Sequence, residues 1–486
     1  MAASSSSNGN VNLRLNYLSI DDLIRRAALN SGVNISNTYH VTHFDTIRKQ
    51  YGEKVFSGKV VLVRPDFNVE LVTDKDRKLI KNANGEYEIA DPERIEASVP
   101  TIRMLSNYGA KVVIISHQGR PAEGDCISLR PHKKVLEDLL NRDVIFREQY
   151  WYGAPAQRLI KEEMRRGDIL LLDNIRKLSD DTLLPGDSLG GRIDPEKFAS
   201  LPDSFPAVLG GLAQFFVNDA FSVSHRWQGS VVGFPYILNI AGILMQKEIA
   251  ANRALSAETP RPYTMLLGGV KITDYVDLAK DSLDGRSVDY ILAAGTFGII
   301  GILGTLGIGH PNYLGRRTVQ FLQENGIYNQ LDKVRRMASE HKGSFILPLD
   351  LKVELDGEVY TMTPEEISRH PGKNRMNLYG LGPQTVAQFK EILEKSRTVY
   401  MKGSPTYDHD DRFIPESKDL IEAVVKLTHQ GAMTILSGGN TTTLAVKKLG
   451  YSADTDFRSR TLAGGAATQF RSGELLGGLY TLNTSH

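Results

Sequence analysis

The first half of the sequence holds Arg64, Arg94, His117, Arg120, Arg176, His225 and Arg226, and no matching block of carboxylates stands beside them. A guanidinium binds phosphate or carboxylate through two parallel hydrogen bonds, so such a set suits a small polyanion. Arg64, Asp66 and Asn68 are spaced two apart, which on an extended backbone sends all three side chains to one side. The plainer alternative is a set of separate surface salt bridges. In the second half the chemistry lies in glycine groups: Gly268-Gly269-Val270-Lys271, Gly438-Gly439-Asn440-Thr441 and Gly464-Gly465-Ala466-Ala467-Thr468. Glycine lets a backbone approach a ligand closely, and a helix N-terminus after it offers N–H groups and partial positive charge to a phosphate. None is a Walker loop or a GxGxxG fingerprint, so each alone reads equally well as a tight turn. Lys271 is the sharper feature, placed like a phosphate-contacting lysine.

The elements that must position these residues are strands. Residues 59–63 of KVVLVRPDFNVEL are β-branched and continuous enough for a strand buried on both faces of a parallel sheet. Residues 111–116, 168–172 and 214–217 read the same way, each ending in polar residues: His117, Gly119 and Arg120; Asp173, Asn174 and Arg176; Asn218 and Asp219, then His225 and Arg226. In an open α/β sheet the ligand crevice lies outside the carboxyl ends of the strands, where these clusters fall. Asp91-Pro92 predicts a helix start carrying Arg94 in its first turn. Residues 237–256 carry apolar residues at helical spacing and predict a long helix joining two domains. Strands at 263–267, 290–293, 345–349, 397–401 and 432–436 then make a second α/β unit. A polyanion site, a phosphate site and a joining helix suggest a kinase that closes on two ligands.

At 486 residues, two domains are expected. Lys plus Arg number 58 against 57 for Asp plus Glu, so no global field favours nucleic acid or a membrane. Cys126, the only cysteine, excludes an internal disulfide and a cysteine-rich metal site. Residues 290–308 are uncharged and nearly long enough to span a bilayer, but five glycines interrupt them and favour a strand, a turn and a packed helix. The Ser- and Asn-rich residues 1–40 lack a secretory pattern. The cytoplasm is the expected compartment, with organelle targeting by residues 1–40 as the alternative.

Several segments together carry a family resemblance: VLVRPDFNVEL, SHQGRP, LLLDNIR, FVNDAFSVSHR, LLGGVKITD, and SGGNTTTLAVKKLG before AGGAAT. Over roughly residues 58–479 the chain resembles phosphoglycerate kinase. The resemblance implies an α/β fold of two Rossmann-like parallel-sheet domains joined by a long helix. Its expected parts are an extension (1–57), an acid-substrate domain (58–236), the helix (237–258), a nucleotide domain (259–460) and a segment returning to the first domain (461–486). It implies that Asp66, Asn68, Arg94, His117, Arg120, Arg176 and Arg226 bind 3-phosphoglycerate, with Arg64 and His225 in support of the same basic patch. Arg94, Lys271, Gly464 and Gly465 would act on the transferring phosphoryl group. Gly268, Gly269, Lys271, Tyr275, Gly295, His409, Gly438, Gly439, Asn440 and Thr441 would meet ATP or ADP with Mg2+.

The departures gather in the nucleotide half. Tyr275 stands where the family has a second lysine, and Asn440 where it has the magnesium-binding aspartate. Asn440 is therefore the one metal candidate, and a neutral amide should hold magnesium less well. Ala293-Ala294-Gly295, with Phe297 nearby, replaces the glycine wall of the adenine pocket, and His409 stands about where a ribose-meeting glutamate would. Three readings follow: a phosphoglycerate kinase with an unusual nucleotide site; a non-catalytic relative that binds a phospho-acid or serves in an assembly; or a kinase for another carboxylate or nucleotide. A protein partner for the N-terminal extension is a further expectation.

Overall fold

A computed structural model describes residues 41–482 apart from 75–77, 122–123, 149–151, 179–200, 202, 255–258, 270–271, 273–275, 306–319, 321, 325, 454, 462–464 and 472–474. The chain forms two compact units, residues 1–249 with 469–486, and residues 250–468. It passes from the first to the second within helix Ile243–Ala254 and returns within helix Gly465–Arg471.

The first unit contains β1 (Val60–Pro65), β2 (Glu70–Leu71), β3 (Ile89–Asp91), β4 (Lys111–Ile114), β5 (Ile145–Arg147), β6 (Ile169–Leu172), β7 (Phe215–Asp219) and β8 (Leu238–Ala241). Six of them make one parallel sheet in the order β5-β6-β4-β1-β7-β8, while β2 and β3 pair antiparallel beside it. β1, β6 and β7 are buried along their whole length, as strands covered by helices on both faces must be. Val61, Val63, Val112, Ile114, Ile169 and Leu171 pack with Ile102, Leu105 and Leu136 into one apolar core. The expected long helix over residues 237–256 is corrected here: residues 238–241 are the edge strand β8, and the helix starts only at Ile243. Gly242 makes that turn, because a Cβ there would lie 2.1 Å from Asp219 Oδ1.

The second unit contains β9 (Tyr263–Leu267), β10 (Tyr290–Ala293), β11 (Phe345–Ile346), β12 (Leu351–Leu355), β13 (Glu358–Met362), β14 (Asn377–Leu381), β15 (Thr398–Lys402), β16 (Met433–Ser437) and β17 (Ser459–Thr461). A second six-stranded parallel sheet runs β11-β10-β9-β15-β16-β17, and β13-β12-β14 is a small antiparallel sheet that the parallel-strand pattern did not reveal. Residues 290–305 form β10 and helix Gly295–Thr305, and among the described residues no helix is long and apolar enough to cross a membrane.

Candidate functional site

In the first unit β6, β4, β1 and β7 are consecutive neighbours, so the polar segments after them emerge side by side. Buried side chains stitch these segments together. Ser116 Oγ donates to Pro65 O at 2.8 Å and accepts from Phe67 N at 3.0 Å, joining the ends of β4 and β1. Gln118 clamps Val69 through both backbone groups, at 3.0 and 3.1 Å. Asn174 donates to Gln118 O at 2.7 Å and to Ile127 O at 2.8 Å, tying β6 to the same loop. Gly119, at φ +66°, permits the tight course of that loop, since a Cβ would sit 2.2 Å from Asp125 O.

The charged residues sit on this frame. Arg64 is fully buried: it donates to Pro65 O, to Ser230 Oγ at 3.2 Å and to His117 Nδ1 at 3.1 Å. Arg94, in the first turn of helix Glu93–Asn107, donates to Asp66 Oδ2 while 31% of its side chain stays exposed. Asp66 also accepts from Ser222 Oγ at 2.5 Å and from Asn68 N at 3.0 Å. Asn68 Oδ1 accepts from Gly119 N at 2.7 Å, and Arg176 donates to Gly119 O. Arg120 is exposed at the same loop, and its backbone N–H donates to Asp125 Oδ1 at 2.6 Å. Arg226 is half-buried in the turn after β7.

Burial works to raise the Asp66 carboxyl, but the Arg94 guanidinium, the Ser222 hydroxyl and the Asn68 amide together hold it well below the usual carboxylate range. Two of the expected cations are corrected. His117 is 2% exposed, and burial followed by the nearby Arg64 charge pushes it well below its usual range, so it is a neutral imidazole. Burial and the adjoining Arg226 likewise push His225 down to about 4. The charges that act on His117 are Arg64, Asp66, Arg176 and Arg94, three guanidiniums against one carboxylate. That surplus of positive charge is what a polyanion would neutralise.

In the second unit the glycines pack backbone to backbone. A Cβ on Gly268 would lie 2.4 Å from Ser404 O, one on Gly295 2.7 Å from Gly269 N, and one on Gly403 2.2 Å from Gly268 O. Their N–H groups are spent inside the chain: Gly268 on Lys402 O at 2.8 Å, Gly269 on Ser404 O at 2.7 Å and Gly295 on Pro405 O at 2.8 Å. These glycines therefore present a surface without side chains rather than a row of free donors. The Thr441 hydroxyl is committed as well, donating to Ser437 O at 2.8 Å and accepting from Gly403 N at 2.6 Å. Gly438, at φ +90°, and Gly439 open the short helix Gly439–Thr442, on which Asn440 is exposed. His409 is 78% exposed and lines a cavity of about 510 Å³ together with Tyr379, Tyr407, Asp410, Asp411, Arg412 and Glu354. The Tyr379 and Tyr407 rings stack at 4.9 Å. Gly465 begins helix Gly465–Arg471, and Lys271, Tyr275 and Gly464 lie outside the described residues.

A family model described as phosphoglycerate kinase matches residues 53–474. The chain belongs to the phosphoglycerate kinase family. A phosphoglycerate kinase of Aeropyrum pernix is 33% identical over 391 residues, covering 79% of this chain and 83% of that protein. One from Pyrobaculum aerophilum is 29% identical over 395 residues, covering 80% and 85%. The crystal structure of phosphoglycerate kinase from Pyrococcus horikoshii superposes with a TM-score of 0.74 at 26% identity, over 91% of this chain and 98% of that one.

Phosphoglycerate kinases in general use ATP or ADP with magnesium, so the donor set must be tested against that ion. Asn440 offers a neutral amide, and among the described residues no group of three or more His, Cys, Asp or Glu side chains is arranged to hold a metal ion. Asn440 alone fits magnesium poorly, because that ion prefers anionic oxygen. On the acid side, the sequence assigned no role to Ser116, Gln118, Asn174 and Ser222. All four are uncharged, although each stands in a segment that carries the resemblance: SHQGRP, LLLDNIR or FVNDAFSVSHR.

Proposed function

We propose that this chain is a kinase of the phosphoglycerate kinase type, exchanging a phosphoryl group between ATP and the carboxylate of 3-phosphoglycerate. The observation that carries the reading is the stitching of adjacent strand ends into one patch, where three guanidiniums face one carboxylate around a neutral His117. A doubly charged organic acid is the ligand that such a surplus selects. Arg94, Arg120, Arg176 and Arg226 would bind its charges, Asp66 and Asn68 its hydroxyl, and buried Arg64 and His117 would support them from beneath. The acid's carboxylate is ionised at neutral pH, so its attack needs no general base. The chain's work is then alignment and neutralisation of charge on the transferring group. In this reading Lys271, Gly464 and Gly465 receive that group. The nucleotide meets the side-chain-free surface of Gly268, Gly269 and Gly295, with Tyr275, His409, Gly438, Gly439, Asn440 and Thr441 around it. No step is assigned to magnesium.

A coupled assay tests the proposal: ATP-dependent turnover of 3-phosphoglycerate is expected, and its absence at every magnesium concentration would overturn it. The exposed amide of Asn440 and the committed hydroxyl of Thr441 favour a second reading, a relative that binds the phospho-acid without turning it over. Calorimetry separates the two. The second reading requires heat on adding 3-phosphoglycerate and none on adding MgADP.

A further inference from the structure

We propose that Ser222 is a positioning residue of the acid site: by holding the Asp66 carboxylate it fixes the direction in which Arg94 meets the acid. The proposal rests on the reading of the first unit as a phospho-acid site. Ser222 lies in the turn Phe221–Val223 just after β7, far in sequence from Asp66 but one strand away in the sheet. Its Oγ donates to Asp66 Oδ2 at 2.5 Å, the same oxygen that accepts from Arg94, while Oδ1 accepts from Asn68 N at 3.0 Å. Asp66 is 5% exposed, so bulk water does not readily replace a lost donor.

The hydroxyl matters because it satisfies the carboxylate without using a charge. Oδ2 has two acceptor positions; with Ser222 in one, Arg94 needs to give Asp66 only part of its fork. Without Ser222, the remaining demand falls on Arg94. A guanidinium drawn fully onto Asp66 has fewer donors to offer a phosphate or carboxylate from solution. The turn is held firmly enough for this task. Phe221 packs edge-on against Phe470 at 5.6 Å, and Ser224 O accepts from Gly478 N at 2.9 Å. The titratable groups facing Asp66 are Arg94 and His117, the latter with Nδ1 3.8 Å from Oδ1.

The test is calorimetric titration of the full-length protein with 3-phosphoglycerate, comparing wild type, Ser222→Ala and Ser222→Thr over a range of acidic to neutral pH. Ser222→Ala should bind about tenfold more weakly. Ser222→Thr, which keeps the hydroxyl, should restore the affinity. Unchanged binding by Ser222→Ala at every pH, or equal weakening by both variants, would overturn the proposal. A wild-type protein that takes up no 3-phosphoglycerate would overturn the site reading and this inference with it, and the wild-type titration alone identifies that case.

Discussion

Arg94 divides itself between a buried carboxylate and solvent: it donates to Asp66, yet 31% of its side chain remains exposed. Arg64 is the opposite case, with its donors spent on Pro65 O, Ser230 and His117 inside the protein. Two arginines of one cluster thus carry different duties, one available to a ligand and one supporting the floor beneath it. Replacing Arg94 by alanine should lower turnover of 3-phosphoglycerate by roughly 100- to 1000-fold, the usual loss for one charge-stabilising contact in a transition state. Steady-state kinetics check this, and a variant within threefold of wild type would remove Arg94 from the reaction. The sequence identified both residues, through the period-two spacing after β1 and the proline-marked helix start. It did not reveal that His117 is neutral, because that follows from burial and from guanidiniums contributed by other segments.

At the scale of elements, the loops after the strands matter more than the strands. Gly119 tolerates no Cβ, and its backbone holds both Asn68 and Arg176. Gly119→Ala should therefore destabilise the protein by about 2 kcal/mol and weaken acid binding at the same time. Denaturant unfolding and calorimetry on one preparation test the coupling, and a loss of stability with unchanged affinity would refute it. A second element carries its own pH dependence. Asp219, at the end of β7, accepts from Met245 N at 3.0 Å in the first turn of helix Ile243–Ala254. Burial pushes its carboxyl up to about 6, although the Thr101 hydroxyl and the Met245 and Leu244 amides bond to it. The folded state therefore binds a proton that the unfolded chain has released. The resulting stabilisation is complete below the ordinary carboxyl value of 3.8 and is lost as pH rises through about 6. Its size is about 3 kcal/mol. Wild type should lose stability relative to Asp219→Asn between pH 4 and pH 7 by an amount of about that order. Parallel denaturation midpoints across this range would show no divergence if Asp219 were an ordinary carboxylate.

At the scale of the whole molecule, the end of the chain belongs to the first unit and braces the acid site. Gly478 N donates to Ser224 O at 2.9 Å, Asn218 donates to Gly478 O at 3.4 Å, and Trp227 packs on Tyr480 at 5.9 Å. A chain ending at residue 474 should bind 3-phosphoglycerate at least about tenfold more weakly, because the turn carrying Ser222 and Arg226 loses its backing. Undiminished affinity in the shortened protein would show that the turn holds itself. By itself the sequence determined the fold class, the family, and the place of Arg64, Asp66, Asn68, Arg120 and Arg176 at polar strand ends, with Arg94 at a proline-marked helix start. These follow from local patterns: buried runs, polar residues where the runs stop, and glycine where the backbone must turn. Tertiary structure alone decided which loops meet. The order β6-β4-β1-β7-β8 brings Ser222 to Asp66 and Asn174 to Gln118 and makes residues 238–241 an edge strand, while in the second unit the end of β15 and the segment after it consume the N–H groups of Gly268, Gly269 and Gly295. Periodicity records whether a residue faces the core; it does not record which distant residue faces it there, and that pairing sets the charge and hydrogen-bonding state of the site.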